Sequence, residues 1–384
     1  MAFPLITDND VFAAFCKEAL QQPSVGIDTE FVWTKTYYPQ LGLLQMAYDR
    51  EHCILVDNLA VTDTTPLAEL LASPNVVKVF HEAGSDLPIL HRWCGAVPCN
   101  VADTRIAAGF CGLGAALSLR KLLISQLGVV LKKTETRTDW LRRPLSDAQI
   151  EYAGDDVIYL PELYLKLKNM MMAMENFGFF QEEMKKYESG DNYAEFPVED
   201  SWKHVSRPGY LKFTMQDYAV LQRLAAWREA LAREKDITRN RIMRDASLAL
   251  AAVKHPYSYK DVSHLEGMSN SPAMKYANDV AEIVTAAMKL SKDEWPIMDI
   301  PIVEQRLHRQ TAERIMSLAR KRAEARRIDL PILASRREVD SLATAILARG
   351  DVASSSLMRG WKHEVLGQSL DDICRELRGK KQPR

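Results

Sequence analysis

Hydrophobic periodicity changes once along this chain, and that change limits the folds open to it. In the first part of the chain the apolar residues come in short runs bounded by Gly, Pro, Asp or Asn: Val25–Asp28, Leu43–Tyr48, Cys53–Asp57 and Val76–Phe80. Runs of this length read as strands. Between the last two, the segment Thr65–Leu71 offers a Thr at the N-cap and Pro66 at N1, a good helix start. The first three runs leave no room for crossover helices and predict an antiparallel meander. The fourth arrives through a helix, so the sheet is expected to be mixed. From Ser85 to about Glu188 the pattern turns helical. It stays helical afterwards, over 217–235, 277–289, 303–326 and 336–347.

Residues 189–210 carry Gly, Pro and polar side chains without sustained periodicity, which marks a boundary. The expected organisation is an α/β domain over 1–190, a linker over 191–210, all-α bundles over 211–292 and 300–378, and a frayed basic tail at 379–384. The segment Trp295–Pro301 reads as a connector.

Charge divides along the same line. Residues 1–200 hold 17 Lys and Arg against 28 Asp and Glu, a balance of −11; residues 201–384 hold 33 against 23, a balance of +10. An acidic half suits cations and a basic half suits a polyanion, although solvated helix faces give the same statistics. The basic residues concentrate at Lys235, Arg239, Arg241 and Arg244, and more densely from Arg320 to Arg337. Phosphate contacts by such side chains are sequence-tolerant and salt-sensitive. Six cysteines without paired C-x-x-C spacing fit neither a disulfide scaffold nor a structural zinc site. The longest charge-free stretch, Ile106–Leu119, has 14 residues, short of the ~20 that span a bilayer. No basic, apolar leader precedes Asp8 and Asp10, so the expectation is a cytoplasmic protein without a membrane partner.

The chemistry-bearing candidates are carboxylates. Asp28 and Glu30 end the first strand two residues apart, so both point from one face. Two acids there repel unless a cation compensates them, though acids also end strands at ordinary turns. Tyr152 and Asp156, four residues apart in a helix capped by Ser146, share a face at the edge of the core stripe formed by Ile150, Ala153, Val157 and Leu160. Asp155, beside Glu151 in spacing, reads as a solvent-side acid. Asp86 lies in the first turn of the helix after the fourth strand, where an acid also serves the helix dipole. Asp103-Thr104 carries the same two readings.

Taken in order and spacing, Asp28, Glu30, Asp86, Tyr152 and Asp156 resemble the DEDDy exonuclease constellation of the ribonuclease D family. The surrounding blocks extend the resemblance: Asp28-Thr29-Glu30-Phe31-Val32, Tyr37–Gln45, His81–Leu87, Glu135–Trp140 and Tyr152–Asp156. The helical half resembles the HRDC modules that follow the nuclease in that family, through Asp236, Arg241, Asp245 and Leu248 in the first copy. In the second it rests on Leu333–Arg337 and Gly360-Trp361. The resemblance implies an RNase H-like mixed-sheet exonuclease domain followed by two all-α HRDC-like bundles. It implies two-metal hydrolysis with Mg²⁺ or Mn²⁺, hard ions that take oxygen ligands. Asp28 would bridge both ions, Glu30 and Asp156 would hold the ion that activates water, Asp86 would support the other, and Tyr152 would orient the water. Nucleoside 5′-monophosphates would leave stepwise from RNA 3′ ends, tRNA precursors and other small structured RNAs being the expected substrates.

Substrate contacts are expected from Phe31, Gln45, Lys133 and Arg137, with His81 in a supporting hydrogen bond. No nucleotide cofactor is implied, and three modules on one chain suffice as a monomer. A DNA exonuclease on the same fold and a non-catalytic RNA-binding module are the alternatives. A helicase is set aside because no G-x-x-x-x-G-K-[ST] loop occurs.

Overall fold

A computed structural model describes residues 3–131, 138–269, 271–296 and 305–379. Two compact units account for them: residues 3–31, 41–193 and 305–379 form one, and residues 32–40 and 194–296 the other.

The first unit is built on six strands, β1 (Leu5–Ile6), β2 (Ser24–Val32), β3 (Gln40–Ala47), β4 (Cys53–Val56), β5 (Val77–Phe80) and β6 (Val101–Asp103), in the order β1-β4-β3-β2-β5-β6. β3 and β4 run antiparallel, whereas β2–β5, β5–β6 and β1–β4 are parallel. The sheet is therefore mixed, as the connection lengths require. Its helices are α1 (Asn9–Ala19), α2 (Thr65–Ala72), α3 (Ala83–Cys94), α4 (Thr104–Phe110), α5 (Leu119–Leu127), α6 (Asp147–Asp155), α7 (Leu160–Ala173) and α8 (Phe177–Met184).

Four elements depart from expectation. β1 and β6 are only two and three residues long, too short for a period-2 signature. Helix α1 escapes apolar-run reading because its buried face is spread over Phe12, Phe15, Cys16 and Ala19; Asp8 caps it by accepting from the Asp10 and Val11 amides. At α2 the cap position is Thr64, and Asp63 Oδ1 accepts from the Thr65 amide at 3.0 Å.

One face of β2 is apolar, with Val25 and Ile27 packed among α1–α3 side chains. Its other face carries Gly26, and a Cβ there would lie 2.8 Å from Val157 O and 2.9 Å from Leu160 Cβ. The absent side chain lets the junction of α6 and α7 rest on the strand. Alternation then points Asp28 and Glu30 to the same side.

The helices after residue 305 belong to this core. They are α14 (Gln305–Arg326), α15 (Leu330–Leu333), α16 (Arg336–Leu347), α17 (Gly360–Leu366) and α18 (Gln368–Gly379). Phe110 and Phe180 pack with Trp361 and with buried residues of α14, α16 and α18 in a single cluster. Polar ties reinforce the seam. Asp329 N donates to Gly109 O at 2.9 Å, Asn176 Nδ2 to both Phe110 O and Arg326 O at 3.0 Å, and Trp361 Nε1 to Glu183 Oε2 at 2.9 Å.

The second unit centres on α9 (Met215–Glu234), α10 (Arg239–Ile242), α11 (Asp245–Lys254), α12 (Tyr259–Ser263) and α13 (Ala277–Ala287). Residues 198–204, expected within a linker, form a 3₁₀ helix whose Trp202 is buried in the core of this unit, and Val205 joins it. A Trp side chain buries enough apolar area to order a segment whose composition otherwise reads as loop. The segment 32–40 is held to the same unit: the Tyr37 and Tyr38 amides both donate to Asp236 Oδ1 at 3.0 Å. The expected tail at 380–384 and most of the expected connector at 295–301 lie outside the described residues.

Candidate active site

Strand β2, the start of α3 and the end of α6 converge on one cleft, of about 560 Å³, lined by Asp28, Glu30, Phe31, Asp86, Tyr152 and Asp156 among others. Each element is placed by local rules. Glu82 takes a left-handed turn at φ 75° that swings the chain from β5 into α3, and Asp86 falls in the first helical turn. Asp103 fixes that turn. Its carboxylate accepts from the Glu82 and Ala83 amides at 3.3 and 3.0 Å and from the Arg105 and Ile106 amides at 2.9 and 3.3 Å, so one side chain caps both α3 and α4. Helix α6 starts in a capping box between Ser146 and Gln149. The segment before it is anchored by Arg143, whose Nε and Nη2 grip the Asp57 carboxylate at 2.6 and 2.7 Å.

Carboxylate oxygens of Asp28, Glu30 and Asp156 lie within 4.8 Å of one another. Asp86, buried in the same cleft, accepts the Thr29 hydroxyl at 2.5 Å. Burial is the first cause that disfavours charge on all four, and their mutual repulsion adds to it. Asp28 is raised well above the usual carboxylate range by burial and by Asp86, Asp156 and Glu30. Glu30 is pushed up to about 8 by burial and then by Asp156 and Asp86. Asp86 reaches about 7 through burial, with Asp103 adding and the Thr29 hydrogen bond opposing. Asp156 reaches about 6, burial again leading, against a hydrogen bond from Tyr152. The phenol of Tyr152 is itself raised, by burial first and by the Asp156 charge next, so at neutral pH it is a hydrogen-bond donor.

Burial is the largest influence on all four acids, and a cationic side chain, Arg120 on α5, lines the cleft beside them. An all-oxygen donor set whose members repel one another fits hard divalent cations.

Of the weaker candidates, Phe31 lines the cleft. Gln45 does not: β3 is buried on both faces and the side chain is 0 % exposed. Lys133 and Arg137 lie outside the described residues. His81 lines the cleft and its Nδ1 sits 2.9 Å from Thr104 Oγ1; burial lowers its pKa and keeps the ring neutral. Asp155, expected toward solvent, also lines the cleft. Thr29 was missed as a site residue. The signal available was a polar side chain where the Val25, Ile27 alternation calls for an apolar one. Arg120, on α5, also lines the cleft.

The mixed sheet, the acidic cleft and a 3′-5′ exonuclease family model that matches residues 3–172 define a 3′–5′ exonuclease; an HRDC domain model matches residues 217–284. Ribonuclease D of Desulfotalea psychrophila (strain LSv54 / DSM 12343) is 33% identical over 367 residues, covering 94% of this chain and 96% of that protein. Ribonuclease D of Escherichia coli (strain K12) is 32% identical over 382 residues, covering 98% and 99%. The crystal structure of E. coli RNase D, described as an exoribonuclease involved in structured RNA processing, matches with a TM-score of 0.89 at 31% identity, covering 98% of this chain and 99% of that one. A crystal structure of a protein from Bifidobacterium adolescentis shares the fold, with a TM-score of 0.72 at 22% identity and 97% of both chains covered. The chain belongs to the ribonuclease D family. It is a 3′–5′ exoribonuclease, and its family depends on divalent metal.

Proposed function

We propose that this exoribonuclease trims the 3′ ends of tRNA precursors and other small structured RNAs, with two divalent cations, Mg²⁺ or Mn²⁺, held by Asp28, Glu30, Asp86 and Asp156. The observation that carries the reading is the carboxylate trio within 4.8 Å, with buried Asp86 in the same cleft. Bound there, the cations supply Lewis-acid stabilisation of developing charge and a more acidic water. The chain's own residues do the rest. Tyr152 keeps its proton and orients the attacking water through its hydroxyl, as a positioner rather than a base. Asp156 accepts from that hydroxyl and fixes its direction. Phe31 packs against the terminal base, while Lys133 and Arg137 are proposed to follow the RNA backbone. Attack at the last phosphodiester releases a nucleoside 5′-monophosphate.

The family matches support an exonuclease domain at 1–190 and a first HRDC domain at 211–292, to which we add a second HRDC-like module at 300–378. Among the described residues no helix is long and apolar enough to cross a membrane, and we propose a monomer acting in the cytoplasm.

Digestion of a 5′-labelled, 3′-extended tRNA beside a matched single-stranded DNA, with Mg²⁺ or Mn²⁺, tests the reading. Stepwise shortening of the RNA, abolished by EDTA and by Asp28→Ala, is expected. Shortening of DNA alone would overturn the substrate, and shortening of neither would leave an RNA-binding module.

A further inference from the structure

Within the second unit a cavity of about 310 Å³ opens between the segment 33–37 and the helical bundle, at the lower end of the ~300–1,000 Å³ range of small-ligand sites. Its rim carries Trp33, which is 60 % exposed, although the indole is held in place: Nε1 donates to Tyr37 O at 2.9 Å. A large aromatic face fixed in orientation and left to solvent loses little entropy when something stacks on it. The aromatic neighbours Tyr37 and Phe196 are already covered by the guanidinium groups of Arg233 and Arg239, with Arg239 5.0 Å from the Tyr37 ring and Arg233 4.8 Å from Phe196.

The charges in the lining cancel. Arg239 pairs with Glu229 at 2.5 Å and Arg228 with Asp245 at 2.7 Å. A phosphate would find no excess cation here. Two donors are nevertheless unspent: Arg228 and Ser201 are 3 % and 4 % exposed, both line the cavity, and Arg228 Nε and Ser201 Oγ have no hydrogen-bond partner among the described residues. A buried polar group without a partner is costly, and a ligand with a polar edge relieves it. Asn240 adds an amide. The occupant that meets these conditions is flat, neutral, aromatic and edged with hydrogen-bonding atoms. On an enzyme acting on RNA, that is a nucleobase.

We infer that this cavity binds one base of the RNA strand upstream of the 3′-terminal nucleotide, stacked on Trp33 and read at its edge by Ser201, Arg228 and Asn240. The inference rests on the exoribonuclease reading for the identity of the strand. Trp33 follows the cleft-lining Phe31 by two residues, so one continuous piece of chain supplies aromatic rings to both places.

The test is equilibrium binding of a 5′-fluorescein 12-nucleotide single-stranded RNA to the full chain in EDTA, read by anisotropy, with a single abasic ribose walked inward from the 3′ end. Wild type is expected to show one interior position where loss of the base raises Kd about tenfold, the order of one base–aromatic stack. Trp33→Ala raises the Kd of the intact RNA by a similar factor and flattens the abasic profile at that position; Trp33→Phe restores it. A flat wild-type profile, or one that Trp33→Ala leaves unchanged, overturns the inference. Competition by adenosine 5′-monophosphate with a flat abasic profile overturns it too, by assigning the cavity to a free nucleotide. Digestion of the same RNA in Mg²⁺ is scored separately: absence of shortening removes the exoribonuclease reading, while the EDTA profile still reports on the cavity.

Discussion

Thr29 lies between the two carboxylates of β2 yet turns the other way and gives its hydroxyl to Asp86 Oδ1 over 2.5 Å, joining the strand to the first turn of α3. The hydrogen bond favours the ionised form of a carboxyl that burial pushes up, the two together leaving it at about 7. Thr29→Val keeps the shape and removes the donor. A hydrogen bond to a charged group contributes about 1.5–3 kcal/mol, so kcat/KM at pH 7 is expected to fall at least tenfold. The pKa of Asp86 rises further in the variant, so the deficit should narrow as the assay pH is raised toward 9. A pH-rate profile of variant against wild type checks this.

Stability without metal should fall as pH rises. Glu30, Asp86 and Asp156 titrate in the folded chain at about 8, 7 and 6, and all lie above their unfolded values of 4.5 or 3.8. Between those limits the native state binds more protons than the unfolded one. Stability is then fully present below about pH 4 for these groups and is lost progressively from there up to each group's folded value, at about 1.4 kcal/mol per pH unit for each group in transition. In EDTA, thermal denaturation should give a lower Tm at pH 8.5 than at pH 5.5. Added Mg²⁺ or Mn²⁺ should remove most of the difference, and Asp28→Asn should raise the EDTA Tm at pH 8.5 while abolishing activity. Equal Tm values at the two pH values in EDTA would sink this.

Tyr152→Phe removes one hydroxyl from the cleft. Its ring, 6.1 Å between centroids from buried Trp140, should stay in place, and Tm should change by only a degree or two. Because the phenol keeps its proton at neutral pH, the loss is of water positioning and of a donor to Asp156, and kcat is expected to drop about a hundredfold with little change in KM. Steady-state kinetics on a single-stranded RNA separate the two.

Gly26→Ala tests whether the strand–helix approach sets the spacing of the acids. The new Cβ meets Val157 O at 2.8 Å, one residue past Asp156 and two before the Asp28 register position on β2. Overpacking of this kind costs about 1–3 kcal/mol, a Tm loss of several degrees. Activity at 20 °C, where the variant is still folded, should fall by more than tenfold because the α6 carboxylate is displaced from the β2 pair.

What the sequence made legible was whatever repeats or clusters. Four of six strands and the long helices are periodic over enough residues to read. The cluster of Asp28, Glu30, Asp86, Tyr152 and Asp156 is legible through its resemblance, in order and spacing, to the DEDDy constellation, since each acid taken alone also reads as a strand end or a helix cap. The burial of Gln45 was not legible, because nothing in its local sequence shows that this strand is central and covered on both sides. Thr29 was hidden because its role is a contact with a residue 57 positions away, and of the two caps that Asp103 makes only the one on α4 is local; the one on α3 lies about 20 positions away, which no local pattern encodes. Trp202 ordering a loop-like segment belongs with them.

The seam between Phe110, Phe180 and Trp361 has a consequence for the order in which this protein is made. All five cleft residues have left the ribosome once residue 156 is out, but the side chains that finish their supporting core arrive with α14 to α18. At ~5–20 residues per second the catalytic half waits about ten seconds or more for its partner helices. During that interval a nascent chain lies among the very RNAs it degrades without a completed fold. The residues of the acidic cleft are thus translated well before the helices that complete the core packed around them.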